Sequence, residues 1–232
     1  MYLLEGNIGV GKSTFLVQLQ QLCPEIAVVE EPKDNWASFD HGQSLLANFY
    51  NDTPRWSYTL ETYAMISRVR EHVLEQNHTD KRRVMERSVY SGYYCFARNG
   101  YDQGFLTALE WALQQQWFDF LVTKNCLPPL GFIYLRANPT VCYQRMRMRN
   151  RMGEEGITTR YLEQIHRLHE LFLIEKSEIA SNLLNIPVLV LDASIDFVQN
   201  SDQMYEHAQR VRAFIAQSAV PTVATTGVQP PA

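Results

Sequence analysis

The segment from Gly6 to Thr14 has the residue types and the spacing of a phosphate-binding loop. It consists of Gly6, Asn7, Ile8, Gly9, Val10, Gly11, Lys12, Ser13 and Thr14, which match the pattern G-x-x-x-x-G-K-[ST]. The glycines allow consecutive backbone N–H groups to point into one concave anion site. Lys12 can reach the β- and γ-phosphates of a nucleotide, and the Ser13 hydroxyl can bind Mg²⁺. The segment therefore predicts a nucleoside triphosphate as a ligand and leaves the second substrate open.

Charged residues that follow two later apolar runs could carry out phosphoryl transfer together with Lys12. Glu31 follows the second apolar run and could take the proton of an acceptor hydroxyl as a general base. Arg87 follows the third run and could supply the positive charge that a phosphoryl transition state needs, or hold Glu31 in line. The alternatives are a solvated loop charge for Glu31 and a structural ion pair between Glu86 and Arg87.

These residues must be positioned by short apolar runs that alternate with longer helical stretches. The predicted strands are 2–5, 26–30, 83–86, 131–136 and 187–191. The predicted helices are 12–22, 41–50, 55–77, 90–98, 103–124, 139–150, 158–182 and 202–217. Most of the strands are nearly continuous in apolar character, which is typical of a parallel sheet covered on both faces. The sequence therefore predicts an α/β, three-layer domain whose ligands bind beyond the carboxyl ends of five parallel strands.

An ordered set of motifs resembles the deoxynucleoside kinase family, over a stretch from Met1 to about Phe197. The motifs are Glu30-Glu31-Pro32, Tyr50-Asn51-Asp52, Glu86-Arg87-Ser88 and Arg145-x-x-x-Arg149-x-Arg151-x-x-Glu154. The resemblance implies a P-loop kinase fold with an Arg-rich lid, in a kinase domain at 1–217. It also implies ATP- and Mg²⁺-dependent phosphorylation of the 5′-hydroxyl of a deoxynucleoside, in nucleotide salvage. The segment 218–232 lacks amphipathic spacing and is predicted to be a disordered tail.

The resemblance assigns several residues to the ATP side of the site. It implies that Arg145 stacks on the ATP base and that Arg149 and Arg151 clamp the phosphates. Glu86 resembles the acidic residue of the family that assists Mg²⁺ binding. Asp196-Phe197 matches a short loop that holds the adenine, although its carboxylate could instead cap the N-terminus of a helix.

Other residues match the nucleoside side of the family's site. Tyr50 and Glu154 match the pair that binds the 3′-hydroxyl of deoxyribose. A phenol and a carboxylate on one edge of the sugar leave little room at C2′. Trp36 and Phe96 match the aromatic walls that sandwich the base. Without the resemblance, these three aromatic side chains would be interpreted as core residues.

Two positions in the base site depart from the family pattern. Glu61 stands where the family usually has Gln, and a carboxylate offers only acceptors, whereas an amide offers a donor and an acceptor. Gly92 stands where the cytidine and purine kinases have an Asp that pairs with the arginine matching Arg68. Because Glu61 and Arg68 lie seven residues apart on one helix, Glu61 could neutralise Arg68 instead.

These departures bear on the base. A carboxylate matches the adjacent N1–H and N2–H₂ groups of guanine, and Arg68 could donate to O6 and N7 of the same base. A mismatched buried polar pair costs on the order of 1–3 kcal/mol, which is enough to decide a preference. The sequence therefore predicts deoxyguanosine as the preferred substrate. Gly92 points the other way, because a larger pocket would admit a 5-methyl pyrimidine.

Bulk composition limits the other partners. The chain has 232 residues and a net charge of −4, which does not suit the surface as a whole to a polyanion. The basic run 145–151 could bind nucleic acid, but acidic Glu154-Glu155 follows at once. No apolar run reaches the length of a membrane span. Four dispersed cysteines, and a start almost directly on the first strand, predict a cytoplasmic protein. The resemblance implies a homodimer, and the apolar stretch 105–118 could supply its interface.

Two other functions are alternatives to a deoxynucleoside kinase. A nucleoside monophosphate kinase of the thymidylate kinase type shares the phosphate loop and the lid. It would need a cationic site for the acceptor phosphate, whereas Glu31 favours a neutral hydroxyl. A non-catalytic relative, resembling an accessory subunit of respiratory complex I, would keep the fold alone. Intact Lys12, Glu31 and Arg87 argue against that role.

Overall fold

Five parallel strands form the sheet around which the chain is organised. They are β1 (Tyr2–Glu5), β2 (Ile26–Val29), β3 (Arg82–Glu86), β4 (Gly131–Arg136) and β5 (Val188–Asp192), in the spatial order β2-β3-β1-β4-β5. The computed structural model describes residues 1–31, 44–78, 82–151 and 154–217. The five predicted strands and the α/β fold class are confirmed, with strand ends that differ by at most one residue. Trp36 and the predicted tail 218–232 lie outside the described residues.

The central strand β1 determines which residues meet at the functional edge of the sheet. Leu4 of β1 is in register with Glu86 of β3 on one side and with Ile133 of β4 on the other. The phosphate loop follows β1 at once, and Glu31 follows β2 by two positions. Because all strands run in the same direction, these segments emerge at one edge of the sheet.

The helices pack on both faces of the sheet. They are α1 (Lys12–Leu22), α2 (Leu45–Asn51), α3 (Thr53–Gln76), α4 (Val89–Ser91, then Gly92–Ala97 and Arg98–Asp102), α5 (Ala108–Phe118), α6 (Pro139–Arg149), α7 (Thr159–Glu170) and α8 (Ser201–Gln217). The middle part of α4 is π-helical, and α5 and α7 each continue as a π-helical turn, at Asp119–Thr123 and Leu171–Glu175. No helix within the described ranges is both long and apolar enough to span a membrane.

Two predicted helices were too long. The one predicted at 103–124 begins only at Ala108, because Thr107 caps it through a reciprocal hydrogen-bond pair with Glu110. The one predicted at 158–182 ends at Glu175, where Lys176 adopts a left-handed φ of 51° that interrupts the helix. A separate 3₁₀ turn, Ser181–Leu183, follows.

Two hydrophobic clusters cover the two faces of the sheet and confirm the three-layer arrangement. Successive residues of β1 point to opposite faces, so Leu4 packs in one cluster with α1 and α8, whereas Leu3 packs in the other with α3, α4 and α5. Both leucines are fully buried. With apolar side chains on both faces, β1 holds the start of the phosphate loop in a rigid position.

Candidate active site

A cavity of about 750 Å³ lies beyond the carboxyl ends of the strands. Most of the predicted site residues line it: Ile8, Gly9, Gly11, Lys12, Ser13, Thr14, Glu31, Tyr50, Glu61, Arg68, Glu86, Arg87, Phe96, Arg145, Arg149, Arg151, Glu154, Asp196 and Phe197. Gly6, Asn7, Val10 and Gly92 do not line it. The structure therefore brings residues from distant parts of the sequence to one place.

The phosphate loop is held in shape from both sides. Gly9 has a φ of 76°, and a side chain there would collide with the Cys142 carbonyl of α6. The Asn7 side chain donates a 2.8 Å hydrogen bond to the Leu162 carbonyl of α7. The Lys12 ammonium donates to the carbonyls of Gly6 and Asn7, at 2.9 and 2.8 Å. Asn7 thus anchors the loop to α7 from outside the cavity. The Lys12 ammonium group is held by the backbone of the loop itself.

Ser13 and Glu86 form an oxygen-rich pair at the start of α1. The Ser13 hydroxyl lies 3.1 Å from each carboxylate oxygen of Glu86. Hydroxyl and carboxylate oxygens are the hard ligands that Mg²⁺ prefers, usually together with phosphate oxygens and water. This pair therefore fits a Mg²⁺ ion that is shared with a nucleotide.

Glu31 is buried between two arginines. Its Oε1 accepts hydrogen bonds from Arg68, at 2.7 Å from Nη2 and 3.3 Å from Nε, and lies 3.3 Å from Nε of Arg87. The Arg87 guanidinium also lies 4.5 Å from the ring centre of Phe96. Glu31 is thus not a solvated loop charge, and both arginines fix the orientation of its carboxylate.

The expected pairing of Arg68 with Glu61 was wrong. Arg68 forms its hydrogen bonds with Glu31, which reaches it from the end of β2. Among the described residues Glu61 makes no hydrogen bond and faces the cavity. Burial raises the pKa of the Glu61 carboxyl to about 7, although the charges of Arg68 and Arg87 act in the opposite direction.

The expectation that Gly92 enlarges the base pocket was also wrong. A Cβ atom at Gly92 would lie 2.5 Å from Nη1 of Arg68. The room left by the missing side chain is therefore filled by the arginine. Gly92 allows Arg68 to lie against α4, and this brings the arginine within reach of Glu31.

Tyr50 and Glu154, which were predicted to bind the sugar together, both line the cavity. Burial raises the pKa of the Tyr50 phenol, and the negative charge of Glu154 raises it further. Glu154 is buried, and both of its oxygens accept from Nη2 of Arg149, at 2.7 and 2.8 Å. Arg151 lies 4.0 Å from the same carboxylate. The two arginines predicted to form the lid thus contact the residue predicted to bind the 3′-hydroxyl.

Arg145 and the segment after β5 form the far wall of the cavity. Arg145 donates to the carbonyls of Val10, Ala193 and Ile195, at 3.1, 2.6 and 2.6 Å. The exposed Asp196 carboxylate accepts from the backbone N–H groups of Val198 and Gln199, at 2.8 and 3.2 Å, in a turn that precedes α8 and not at a helix N-terminus. Arg145 therefore joins the phosphate loop to this wall.

Phe197 belongs mainly to the core. It is buried, and its ring centre lies 5.4 Å from that of Phe15 in α1. Part of its ring also reaches the cavity beside Gly11 of the phosphate loop, 3.4 Å from where a Cβ would stand. Phe197 thus packs between α1 and the phosphate loop.

Two polar residues at the site, Tyr161 and Glu5, were not among the predicted site residues. Tyr161 of α7 lines the cavity, and the Thr158 cap that starts α7 fixes its backbone. Glu5 lies just beneath the site, fully buried. A charged residue at the end of an otherwise apolar strand was the available signal for Glu5. Tyr161 follows the Arg-rich motif in the sequence, but its place at the cavity depends on how α7 packs.

Comparison with known proteins agrees with this geometry. The family model described as "Deoxynucleoside kinase" matches residues 3–216. The chain is 38% identical over 236 residues to mitochondrial deoxyguanosine kinase of Xenopus laevis, covering 92% of this chain and 88% of that one. It is 34% identical over 237 residues to human deoxycytidine kinase, covering 92% and 90%. It is 35% identical over 190 residues to human mitochondrial thymidine kinase 2, covering 82% and 69%.

Proposed function

The chain belongs to the deoxynucleoside kinase family, and we propose that it transfers the γ-phosphate of ATP to the 5′-hydroxyl of deoxyguanosine in preference to other deoxynucleosides. It is an enzyme that phosphorylates deoxynucleosides. The observation that carries the proposal is the position of Glu31. This carboxylate is buried in the same cavity as the phosphate loop and is oriented by Arg68 and Arg87.

The residues divide the reaction between proton transfer and charge stabilisation. Glu31 accepts the proton of the 5′-hydroxyl as the oxygen attacks the γ-phosphorus. Lys12 and Arg87 stabilise the charge that spreads over the transferring phosphoryl group. Ser13 and Glu86 would hold Mg²⁺, which would supply positive charge to the phosphates. To accept the proton, the Glu31 carboxylate needs a stable orientation. The guanidinium groups of Arg68 and Arg87 supply that orientation.

The lid completes the donor side. Arg149 is the last residue of α6, and Arg151 follows the helix by two positions. Both arginines line the cavity. In the described geometry they contact Glu154, so reorientation toward the triphosphate would free that carboxylate for the 3′-hydroxyl. Arg145, held by three backbone carbonyls, keeps its guanidinium plane available to an adenine ring.

The base preference rests on Glu61. Its carboxyl group faces the cavity from α3 and has no hydrogen-bond partner among the described residues. Once ionised, it presents two acceptors side by side, which match the N1–H and N2–H₂ donors of guanine. Arg68 is held by Glu31, so Glu61 carries most of the base readout. The identity with the Xenopus deoxyguanosine kinase supports the same substrate.

A steady-state comparison tests both levels of the proposal. The four deoxynucleosides and their monophosphates are offered as acceptors with ATP, and we expect phosphorylation of nucleosides only, with the highest kcat/KM for deoxyguanosine. Glu31→Gln should lower kcat by about 10²- to 10⁴-fold. Glu163→Gln, an exposed carboxylate on α7 outside the cavity, is the matched control. If deoxyguanosine ranks last, the base assignment is wrong; if no nucleoside is phosphorylated, the activity is wrong.

We further propose a homodimer formed through α3 and α5. These helices pack side by side, and the Gln114 amide of α5 donates a 2.7 Å hydrogen bond to Thr62 of α3. Together they expose an apolar face consisting of Ile66, Leu74, Leu109, Trp117 and Phe120. Exposed apolar side chains on neighbouring helices are typical of a subunit contact.

Sedimentation velocity tests the dimer. The wild-type chain should sediment as a dimer and Trp117→Glu as a monomer, whereas Leu184→Glu, another exposed apolar position away from α3 and α5, should remain dimeric. Phe118, which was included in the predicted interface stretch, is instead a core residue stacked on Tyr93 at 4.0 Å. A wild-type monomer would contradict the proposal.

The remaining assignments concern the surroundings of the enzyme. Cys23, Cys95, Cys126 and Cys142 are all free thiols, which supports a reducing compartment, and we propose the cytoplasm. The net charge of −4 supports a small-molecule substrate rather than nucleic acid. Imaging of a fluorescent fusion in the source cells would test the compartment.

A further inference from the structure

Glu5, the last residue of β1, is a buried carboxyl group for which the proposed reaction has no use. It is fully shielded from solvent and directly precedes Gly6, the first residue of the phosphate loop. Its Oε1 accepts a short hydrogen bond from the Ser88 hydroxyl. Burial of a carboxyl group is unfavourable unless specific contacts compensate for it. The contact with Ser88 therefore indicates what Glu5 does.

The Ser88 hydroxyl makes hydrogen bonds in two directions. Its oxygen accepts from the backbone N–H groups of Tyr90 and Ser91, at 3.1 and 3.2 Å, and so caps the start of α4. A hydroxyl has a single proton to donate, and that proton goes to Glu5. Glu5 thus fixes the rotation of the hydroxyl and, through it, the junction between β3 and α4.

Arg87 occupies this junction in a strained conformation. Its φ is 58°, in the left-handed region that non-glycine residues rarely adopt and that persists only when neighbouring contacts enforce it. The Arg87 N–H donates a 2.8 Å hydrogen bond to the Leu4 carbonyl. The next residue, Ser88, donates its hydroxyl hydrogen bond to Glu5. Both anchors of Arg87 therefore belong to consecutive residues of β1.

We propose that Glu5 is a positioning residue, which accepts the Ser88 hydrogen bond and thereby fixes the Arg87 guanidinium relative to the phosphate loop. The inference rests on the proposed catalytic role of Arg87. The transferring phosphoryl group lies between the loop and the acceptor oxygen, and a displacement of about 1 Å at such a point can lower the rate about 10²-fold. Glu5 connects the phosphate loop to the segment that carries Arg87. It contacts Ser88, and the loop begins at the residue after Glu5.

The charges around Glu5 show which variant is conservative. Burial raises the pKa of its carboxyl, whereas the hydrogen bonds from Ser88 and Ser91 and the charges of Arg87 and Lys12 act in the opposite direction. The proposed role needs only an acceptor oxygen at the Oε1 position. A carboxylate, a carboxylic acid and a carboxamide all provide one, so Glu5→Gln preserves the function and Glu5→Met removes it at similar side-chain length.

The first test compares these variants in the full-length enzyme. Glu5→Met should lower kcat about 10- to 100-fold while the KM values for ATP and nucleoside change less than about threefold, since ground-state binding is not affected. Glu5→Gln should retain kcat within about threefold. Ser88→Ala removes the same hydrogen bond from the other side and should lower kcat similarly, so it serves as the test if Glu5→Met does not fold. A Gln variant as impaired as the Met variant would overturn the proposal, because charge would then be the cause.

The second test asks whether Glu5 acts through Arg87. In an Arg87→Met background, Glu5→Met should cause no further loss of kcat, whereas independent effects would multiply. An equal loss in both backgrounds would overturn the positioning role and leave a general effect on packing. Full activity of Arg87→Met alone would instead refute the catalytic role of Arg87. The two failures are therefore distinguishable.

Discussion

The preference for guanine should depend on pH through a single side chain, Glu61. Burial raises the pKa of this carboxyl from its usual acidic value to about 7. Below that pH it is a carboxylic acid with one donor and one acceptor, like the glutamine usual in the family. Above it, the carboxylate has acceptors only and suits guanine alone. The ratio of kcat/KM for deoxyguanosine to that for deoxycytidine should therefore rise with pH.

The size of the change in the kcat/KM ratio depends on the ionisation of Glu61 and on the mismatched polar contact that the ionised form makes with cytosine. Around a pKa of about 7, the ratio of ionised to neutral Glu61 changes about tenfold per pH unit, which is the upper limit for the change in the kcat/KM ratio. A mismatched buried polar contact costs on the order of 1–3 kcal/mol, so the full range is about 5- to 150-fold. Ionisations shared by both reactions cancel in the ratio.

The assay is a competition between the two deoxynucleosides at a fixed ATP concentration, from about pH 6 to pH 8, which brackets the pKa. Glu61→Gln is the matched variant, because its amide does not titrate. We expect its ratio to be independent of pH and to lie close to that of the wild type at the acidic end. A wild-type ratio that does not change with pH, or one that changes equally in Glu61→Gln, would refute the reasoning.

Three further predictions concern the sugar, the metal and the C-terminal segment. Tyr50→Phe should raise the KM for deoxynucleosides about 5- to 10-fold and leave that for 2′,3′-dideoxynucleosides unchanged, because only the former offer a 3′-hydroxyl to the phenol; equal changes for both in initial-rate assays would contradict the sugar contact. Ser13→Ala should raise the Mg²⁺ concentration needed for half-maximal rate, whereas Thr14→Ala, at the adjacent hydroxyl, should not; a titration in which both variants match the wild type would exclude Ser13 as a ligand. Removal of 218–232 should leave kcat/KM and the melting temperature unchanged, and a fall in either would show that the kinase domain does not end at 217.

The fold was predictable because its signals are local. Most of the five strands are short apolar runs, and the phosphate loop is a contiguous motif, so each could be identified within a few residues. The strand β3, Arg82–Glu86, has only two apolar residues and was the least clear of the five. Helix ends were less predictable. The reciprocal cap at Thr107 and the left-handed Lys176 depend on backbone geometry, which helical periodicity does not report.

The sequence predicted which residues form the site, but it did not predict which of them form ion pairs with one another. Motif order placed Glu31, Glu61, Arg68 and Arg87 together, and the structure gathers them in one cavity. Helical spacing predicted that Arg68 would be neutralised by Glu61, seven residues earlier on α3. The observed partner is Glu31, 37 residues away along the chain.

The sequence by itself determined the phosphate loop, the parallel sheet and the set of charged residues that line the cavity, since these depend on short-range spacing and on strand order. Only the tertiary structure decided which charges neutralise one another. Glycine at position 92 lets Arg68 lie against α4 and meet Glu31, and Glu61 faces the cavity without that partner. The physical reason is that the energy of a buried charge depends on distances between side chains from different elements, which no spacing along one helix can specify.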